Sequence, residues 1–379
     1  MTAVAEQVEN LPITPEGFIG RIPVRNLWLL MLYASDLFRT SSIGKVGLED
    51  SPDELPDLVA EILAHAVEER QRRRLSLGYR SRDAVINRVR GRIDVLATER
   101  HQLMDRGLVA CRFDELTINT ARNRFVRAAL DSISRIVSRK DIAHRCRALA
   151  AGMKAMGVSG DAPTRAQMST DRFSRNDADD RFMVAAAKLA FDLVLPTEAS
   201  GTNVLSLPDR EVTWVRRLFE QAVGGFYGVV LSPFGWKVLC GGKMNWQIEQ
   251  KTTGIDKILP TMRTDVVLDH PSTGQRIVID TKFTSIVTSG WYREETLRSG
   301  YVYQIYAYLR SQVGCGNALA DRASGLLLHP AIGQMVDETV VIQGHSIRFA
   351  TVDLTASTAD IRLQLLRFFE PIESMMTSP

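Results

Sequence analysis

Apolar residues recur at helical spacing after Pro23, at Leu27, Leu30, Met31, Ala34 and Leu37, which predicts a first helix. A second is expected from about Pro56 to Arg74, apolar on one side and charged on the other. Residues 84–97 alternate like a strand pair around Gly91. A third helix is expected over about Thr120–Val137, with Phe125, Ala128, Ala129, Ile133 and Ile136 on one face. These pieces predict a flexible tail over 1–20 and a mainly helical N-terminal domain over 21–150. Residues 151–180 turn small, polar and charged, and with a helix at about 181–194 they read as a linker region spanning 151–200.

The rhythm then changes. A helix over about Asp209–Tyr227 precedes strands near 236–240, 245–250, 263–269 and 276–283. A long helix over about 294–312, strands near 324–329 and 346–353, and a closing helix at about 358–370 complete the pattern. Strands in succession, a helix, then more strands predict an α+β or α/β domain over 201–379, a central mixed sheet flanked by helices.

Length and composition narrow the class. A chain of 379 residues is long for one core and favours two domains. No run of eighteen apolar residues occurs, and the polar, acidic N-terminus lacks the order of a signal peptide, so a cytoplasmic protein without a membrane span is expected. Cys111, Cys146, Cys240 and Cys315 are scattered without a C-x-x-C pair, which argues against zinc and disulfides and reads as four buried small hydrophobes. Net charge is only +3, yet residues 60–145 hold 19 Lys and Arg against 11 Asp and Glu, a local excess of +8. Such a block suits contact with phosphate or another acidic surface, while the cluster Arg70, Arg72, Arg73 and Arg74 is equally read as a solvated helix face.

Candidate chemistry concentrates in the second half. The runs Arg263–Asp269 and Arg276–Lys282 are rich in β-branched residues and flank a His-Pro-Ser-Thr-Gly turn, so they read as a hairpin. If Asp269 and Arg276 flank the turn, antiparallel pairing sets Asp265 opposite Asp280. Residues two apart share a strand face, so Asp280 and Lys282 point the same way. Two carboxylates and an ammonium then meet at one end of a sheet. Charges beside Val267, Val278 and Ile279 need a partner or an ion. A hard divalent cation, Mg²⁺ or Mn²⁺, relieves carboxylate repulsion through oxygen ligands. An isolated Asp-x-Lys is equally explained as an ion pair at a strand end, so the triplet alone decides little.

Context adds weight. A following helix places Gln304 and Tyr308 one turn apart, and Glu220 upstream lies in an amphipathic helix where it would add a third acidic group. Helix Glu, strand Asp, strand Asp-x-Lys and helix Gln-x-x-x-Tyr in this order resemble the PD-(D/E)xK nuclease superfamily, with Thr264 in place of the usual Pro. The segments Ile22–Trp28, Arg90–Asp94, Phe113–Leu116 with Asn123-Arg124, Leu259–Asp265 and Gly325–Pro330 resemble, more narrowly, the McrC family. That family supplies the nuclease subunit of the McrBC modified-cytosine restriction system.

The resemblance implies a metal-dependent endodeoxyribonuclease. Asp265, Asp280, Lys282 and Gln304 would be its catalytic residues, and Asp265, Asp280 and Glu220 its metal ligands. It implies double-stranded, methylated DNA as substrate and a separate AAA+ GTPase of McrB type as partner, docked through the N-terminal domain. No G-x-x-x-x-G-K-[ST] loop occurs in the chain, so no nucleotide is expected to bind it: Gly44-Lys45 is followed by Val46 and Gly242-Lys243 by Met244. Two alternatives stay open, a non-catalytic scaffold that activates a GTPase and a free-standing repair nuclease. No G-x-S-x-G supports a serine hydrolase. His329 reads as structural, at a strand end beside the site. Trp28, Tyr33, Trp214 and Phe219 read as core, and Trp291-Tyr292-Arg293 as a loop that would touch DNA.

Overall fold

Beyond its first turn, the helix after Pro23, α1 (Val24–Ala34), is apolar on every side, and Leu27, Trp28, Leu29, Leu30, Met31, Leu32 and Tyr33 are all buried. A helix of that kind has no solvent face and must be surrounded. In the computed structural model, which describes residues 18–19, 22–40, 54–170, 178–201, 208–289, 295–331 and 334–369, it lies against α9 (Pro208–Val230). Contact is backbone to backbone at Gly225, where a Cβ would sit 1.9 Å from the Tyr33 carbonyl oxygen. Buried Asn26 fastens the helix further, its Nδ2 donating to the carbonyls of Leu354 (2.7 Å) and Ala356 (3.0 Å). An antiparallel pair, β1 (Phe18–Ile19) and β2 (Ile22–Pro23), precedes α1, and a short α2 (Asp36–Thr40) follows it.

The chain accordingly divides into one compact unit over Pro56–Val194 and another that joins Met1–Leu55 to Leu195–Pro379. This differs from the expected division at 20, 150 and 200. The apolar first helix finds its core in the C-terminal unit, and the expected linker carries helices that pack into the first.

Within Pro56–Val194, α3 (Leu55–Arg72) leads to a three-stranded antiparallel sheet in the order β3-β5-β4, formed by β3 (Gly78–Ile86), β4 (Arg92–Ile93) and β5 (Val109–Thr117). A short α4 (Val95–Arg100) lies between β4 and β5. The expected pairing around Gly91 is therefore corrected: both strands pair with β5, not with each other. Helices α5 (Ala121–Ile133), α6 (Lys140–Ala155), α7 (Arg165–Thr170) and α8 (Ala178–Gly201) complete the unit. The fully buried Asp180 binds Arg70 at 2.6 Å and Arg122 at 2.5 Å, joining α8 to α3 and α5. A buried carboxylate needs such partners.

The second unit is α+β, with a six-stranded mixed sheet in the order β14-β15-β13-β10-β9-β6. Its strands are β6 (Lys237–Cys240), β9 (Val266–His270), β10 (Gln275–Thr281), β13 (Ser324–Pro330), β14 (Asp337–Ile342) and β15 (His345–Val352). The β10, β13 and β15 trio runs parallel and the other pairings are antiparallel. Helix α10 (Ser299–Arg310) covers the sheet, with Ile305, Tyr308 and Leu309 packed on Val267, Val278, Leu327 and Phe349. A short α11 (Ala318–Asp321) precedes β13, and α12 (Thr358–Arg367) packs on β15.

Two ribbons lie outside the main sheet. One pairs β7 (Lys243–Met244) with β8 (Met262–Arg263), and the other β11 (Val287–Ser289) with β12 (Glu295–Leu297). The strand expected at 245–250 does not form: beyond β7 the chain is irregular. Cys111 and Cys146 are buried as expected, whereas Cys240, ending β6 at the sheet edge, and Cys315, in the turn after α10, are exposed. Among the described residues no helix is long and apolar enough to cross a membrane.

Candidate active site

The β9–β10 hairpin sets the site. Asp269 lies opposite Arg276, as the sequence predicts, and the two form a bidentate ion pair at 2.6 and 2.7 Å beside the turn. Pairing continues to Val266 opposite Ile279, so the next pair outward is Asp265 and Asp280. The first strand is not continuous, however. Thr264 and Asp265 separate β8 from β9, held by bonds from Gly241 N–H to the Asp265 carbonyl (2.8 Å) and from Thr264 N–H to the Gly242 carbonyl (3.0 Å).

The break frees Asp265 to turn its carboxylate toward β10. Oδ2 accepts from both the N–H and the hydroxyl of Thr281, each at 2.7 Å. Thr281 is thus the residue that orients Asp265, a role the sequence hides because the middle position of Asp-x-Lys is read as variable. Asp280 is buried beneath it, 1% exposed, and its Oδ2 lies 2.7 Å from the Lys282 ammonium. Neither Asp280 oxygen receives a well-directed hydrogen bond, so a buried carboxylate is left with open lone pairs. Burial pushes its pKa up to about 6, against the pull of Lys282 and with a further push from Asp265.

The neighbours are arranged around this pair. Glu220, half-buried on α9, has its pKa raised by burial and then by the charge on Asp265, so its carboxyl faces the same cluster. Among the described residues, no three His, Cys, Asp or Glu side chains approach closely enough to hold one ion. Glu220 thus stands beside the Asp265–Asp280 pair without forming a closed three-carboxylate group with it. Gln304 donates to the Tyr308 hydroxyl at 2.6 Å, which donates to the Arg263 carbonyl at 2.7 Å. Gln304 and Tyr308 thus brace the strand two residues before Asp265, and the Gln304 amide is engaged there.

Lys282 is held on its other side. Its N–H donates to the Leu328 carbonyl at 2.9 Å, and its ammonium lies 5.3 Å from the Tyr301 ring centre, a cation–π distance that the sequence does not reveal. His329 is fully buried behind that ring, with Nδ1 2.8 Å from the Thr284 carbonyl. Burial lowers its pKa to about 4, so the imidazole is neutral near pH 7 and Nδ1–H is the donor. Of the aromatic residues read as core, Trp28, Tyr33 and Phe219 are buried and Trp214 is half-buried. The Trp291-Tyr292-Arg293 segment lies outside the described residues.

Comparison with protein families matches residues 3–320 to the McrBC 5-methylcytosine restriction system component, most of the chain. The chain belongs to the McrBC family. A solved structure similar to this member of the family is a half-complex from a tetradecameric assembly of Thermococcus gammatolerans McrB AAA+ hexamers with bound McrC. It is 14% identical and the match covers 92% of this chain and 76% of that one, with a TM-score of 0.42. A cryo-EM structure of the Thermococcus gammatolerans McrBC complex is 16% identical over 49% of this chain and 61% of that one, with a TM-score of 0.31. Comparison with curated proteins returns no match.

Proposed function

We propose that this McrBC-family chain is the endonuclease subunit of a modification-dependent restriction complex, hydrolysing DNA phosphodiesters at a PD-(D/E)xK-type site. The observation that carries the reading is Asp280, a buried carboxylate with unbonded oxygens, ion-paired to Lys282 and adjoining Asp265. Such a group is costly in an apolar sheet unless it binds a cation.

The donor set fits Mg²⁺ or Mn²⁺, which take one or two protein carboxylates and keep several waters. Asp265 and Asp280 would hold the ion, which when bound lowers the pKa of water and neutralises charge on the phosphate. The remaining work falls to the chain. Thr281 fixes the Asp265 carboxylate with two donors, so its second oxygen is aimed without a rotamer search. Lys282, held between Asp280 and the Tyr301 ring, carries the positive charge placed to stabilise the pentavalent phosphate as it forms. The Gln304–Tyr308–Arg263 chain keeps the strand end from shifting.

The partner in this reading is an AAA+ GTPase of McrB type, because the chain belongs to a family of restriction-system components and has no phosphate-binding loop of its own. Its substrate is double-stranded DNA carrying a modified cytosine, and its work is done in the cytoplasm. The test is cleavage of methylated and unmethylated duplexes by the chain with its cognate GTPase, in EDTA and after adding back Mg²⁺ or Mn²⁺. Cleavage should require the metal, the partner and the modification. Undiminished cutting in EDTA would end the metal-dependent reading.

A further inference from the structure

Beside the acidic pair lies a short ribbon whose two faces differ sharply. In β7–β8, Met244 is opposite Met262 and Lys243 is opposite Arg263. The methionines turn inward, Met262 into the core under the sheet with Met244 packed against it. Lys243 and Arg263 are both exposed. Like charges directly across an antiparallel pair destabilise it, and neither cation forms an ion pair with a described residue. A repulsive pair of this kind is explained if an anion lies between the two.

The backbone aims one of these cations at the site. Gly241 has φ +65°, and a Cβ there would lie 2.9 Å from Arg263 Nη2 and 3.5 Å from its Nε, so the guanidinium lies across the glycine. The Gly241 N–H is the donor that holds the Asp265 carbonyl, and the Arg263 carbonyl is the acceptor for Tyr308. The positive field of Arg263 also reaches Glu220, opposing that of Asp265. The two cations therefore stand at the rim of the acidic cluster, on the same structural bracket that fixes Asp265.

We propose that Lys243 and Arg263 form a phosphate clamp that holds the DNA backbone next to the phosphodiester presented to Asp265 and Asp280. The clamp rests on the nuclease reading for its location, and its chemistry is that of paired cations on consecutive phosphates of one strand. It acts on substrate binding and leaves the hydrolytic step to Lys282 and the carboxylates.

The test is fluorescence anisotropy of a labelled DNA duplex titrated with the full-length chain in EDTA over a series of KCl concentrations. Wild type is compared with Lys243→Gln, Arg263→Gln, the double variant, Arg263→Lys, and Lys257→Gln as an exposed control in the connection between β7 and β8. Each Gln variant should make the slope of log K against log salt shallower by about 1, and the double variant should bind roughly tenfold more weakly at low salt. Arg263→Lys should restore most of the slope. Single-turnover cleavage by the partner-bound complex should need roughly tenfold more DNA to reach its half-maximal rate in the double variant. Slopes and affinities indistinguishable from wild type or from Lys257→Gln would overturn the clamp. So would a slope that stays shallow in Arg263→Lys, which would assign the loss to local folding. A wild-type chain that binds with the full salt slope but never cuts would overturn the nuclease reading while leaving the clamp in place.

Discussion

Replacing Asp280 with Asn, which keeps its shape and removes its charge, should stabilise the metal-free protein at pH 8. Burial holds the Asp280 pKa at about 6 instead of 3.8, even with Lys282 at 2.7 Å. At about 1.4 kcal/mol per unit, ionisation in the folded state costs on the order of 3 kcal/mol relative to the neutral form. The sign follows from the raised value: folding favours the protonated carboxyl, so this contribution is present below about pH 4 and lost as pH rises through 6. Asparagine does not titrate and keeps it throughout. Guanidinium melts in EDTA should therefore place the variant above the parent at pH 8, with about half that advantage at pH 5. Adding Mg²⁺ should raise the parent more than the variant, which keeps only the Asp265 carboxylate to hold the ion. A variant less stable than the parent at pH 8, by as much as or more than at pH 5, would show that ionised Asp280 stabilises the fold, and the reasoning would fail.

Three further outcomes follow from the same geometry. Lys282→Ala should leave metal affinity largely in place and slow single-turnover cleavage by about 10²-fold, for loss of one electrostatic stabiliser; collapsed metal affinity with a rate that recovers at saturating metal would make Lys282 structural. Gly225→Ala should cost about 2 kcal/mol or more in a denaturant melt, because its Cβ would collide with the Tyr33 carbonyl; a change within about 0.5 kcal/mol would refute the close approach of α1 to α9. The chain alone should neither bind nor hydrolyse GTP, yet in a phosphate-release assay it should raise turnover by its cognate AAA+ partner, and Asp280→Ala should do so equally. Stimulation lost in that well-folded variant would couple the site to the motor. The informative deletion for docking removes Pro56–Val194, which leaves α1 in the core of the C-terminal unit.

The geometry of the candidate site was more legible in the sequence than the fold around it. Register was legible because Asp269 and Arg276 flank a clear turn, and counting outward from that pair reaches Asp265 and Asp280. Thr281 and Tyr301 were not legible: one depends on a break in the strand at Thr264, the other on a helix brought over the sheet by packing. Domain limits failed for a related reason. Periodicity gave α1 its helix but could not say which core would enclose a helix apolar on all sides, and that choice is tertiary. In β5 the consecutive acidic residues Asp114 and Glu115 break the alternation between Phe113 and Leu116, so the pattern does not predict a strand there and leaves β3 and β4 to pair with each other. Exposed β14 escaped in the same way, because an edge strand need not bury one face.

In the proposed function Asp280 and its neighbours form the hydrolytic centre. Asp280→Ala removes a buried carboxylate that no other described side chain replaces. The measurement is single-turnover cleavage of a methylated duplex by this variant assembled with the GTPase, in saturating Mg²⁺, with GTP turnover recorded in the same tubes. Cleavage should be abolished while assembly and stimulated GTP turnover persist. Cleavage near the wild-type rate would place the chemistry elsewhere in the complex.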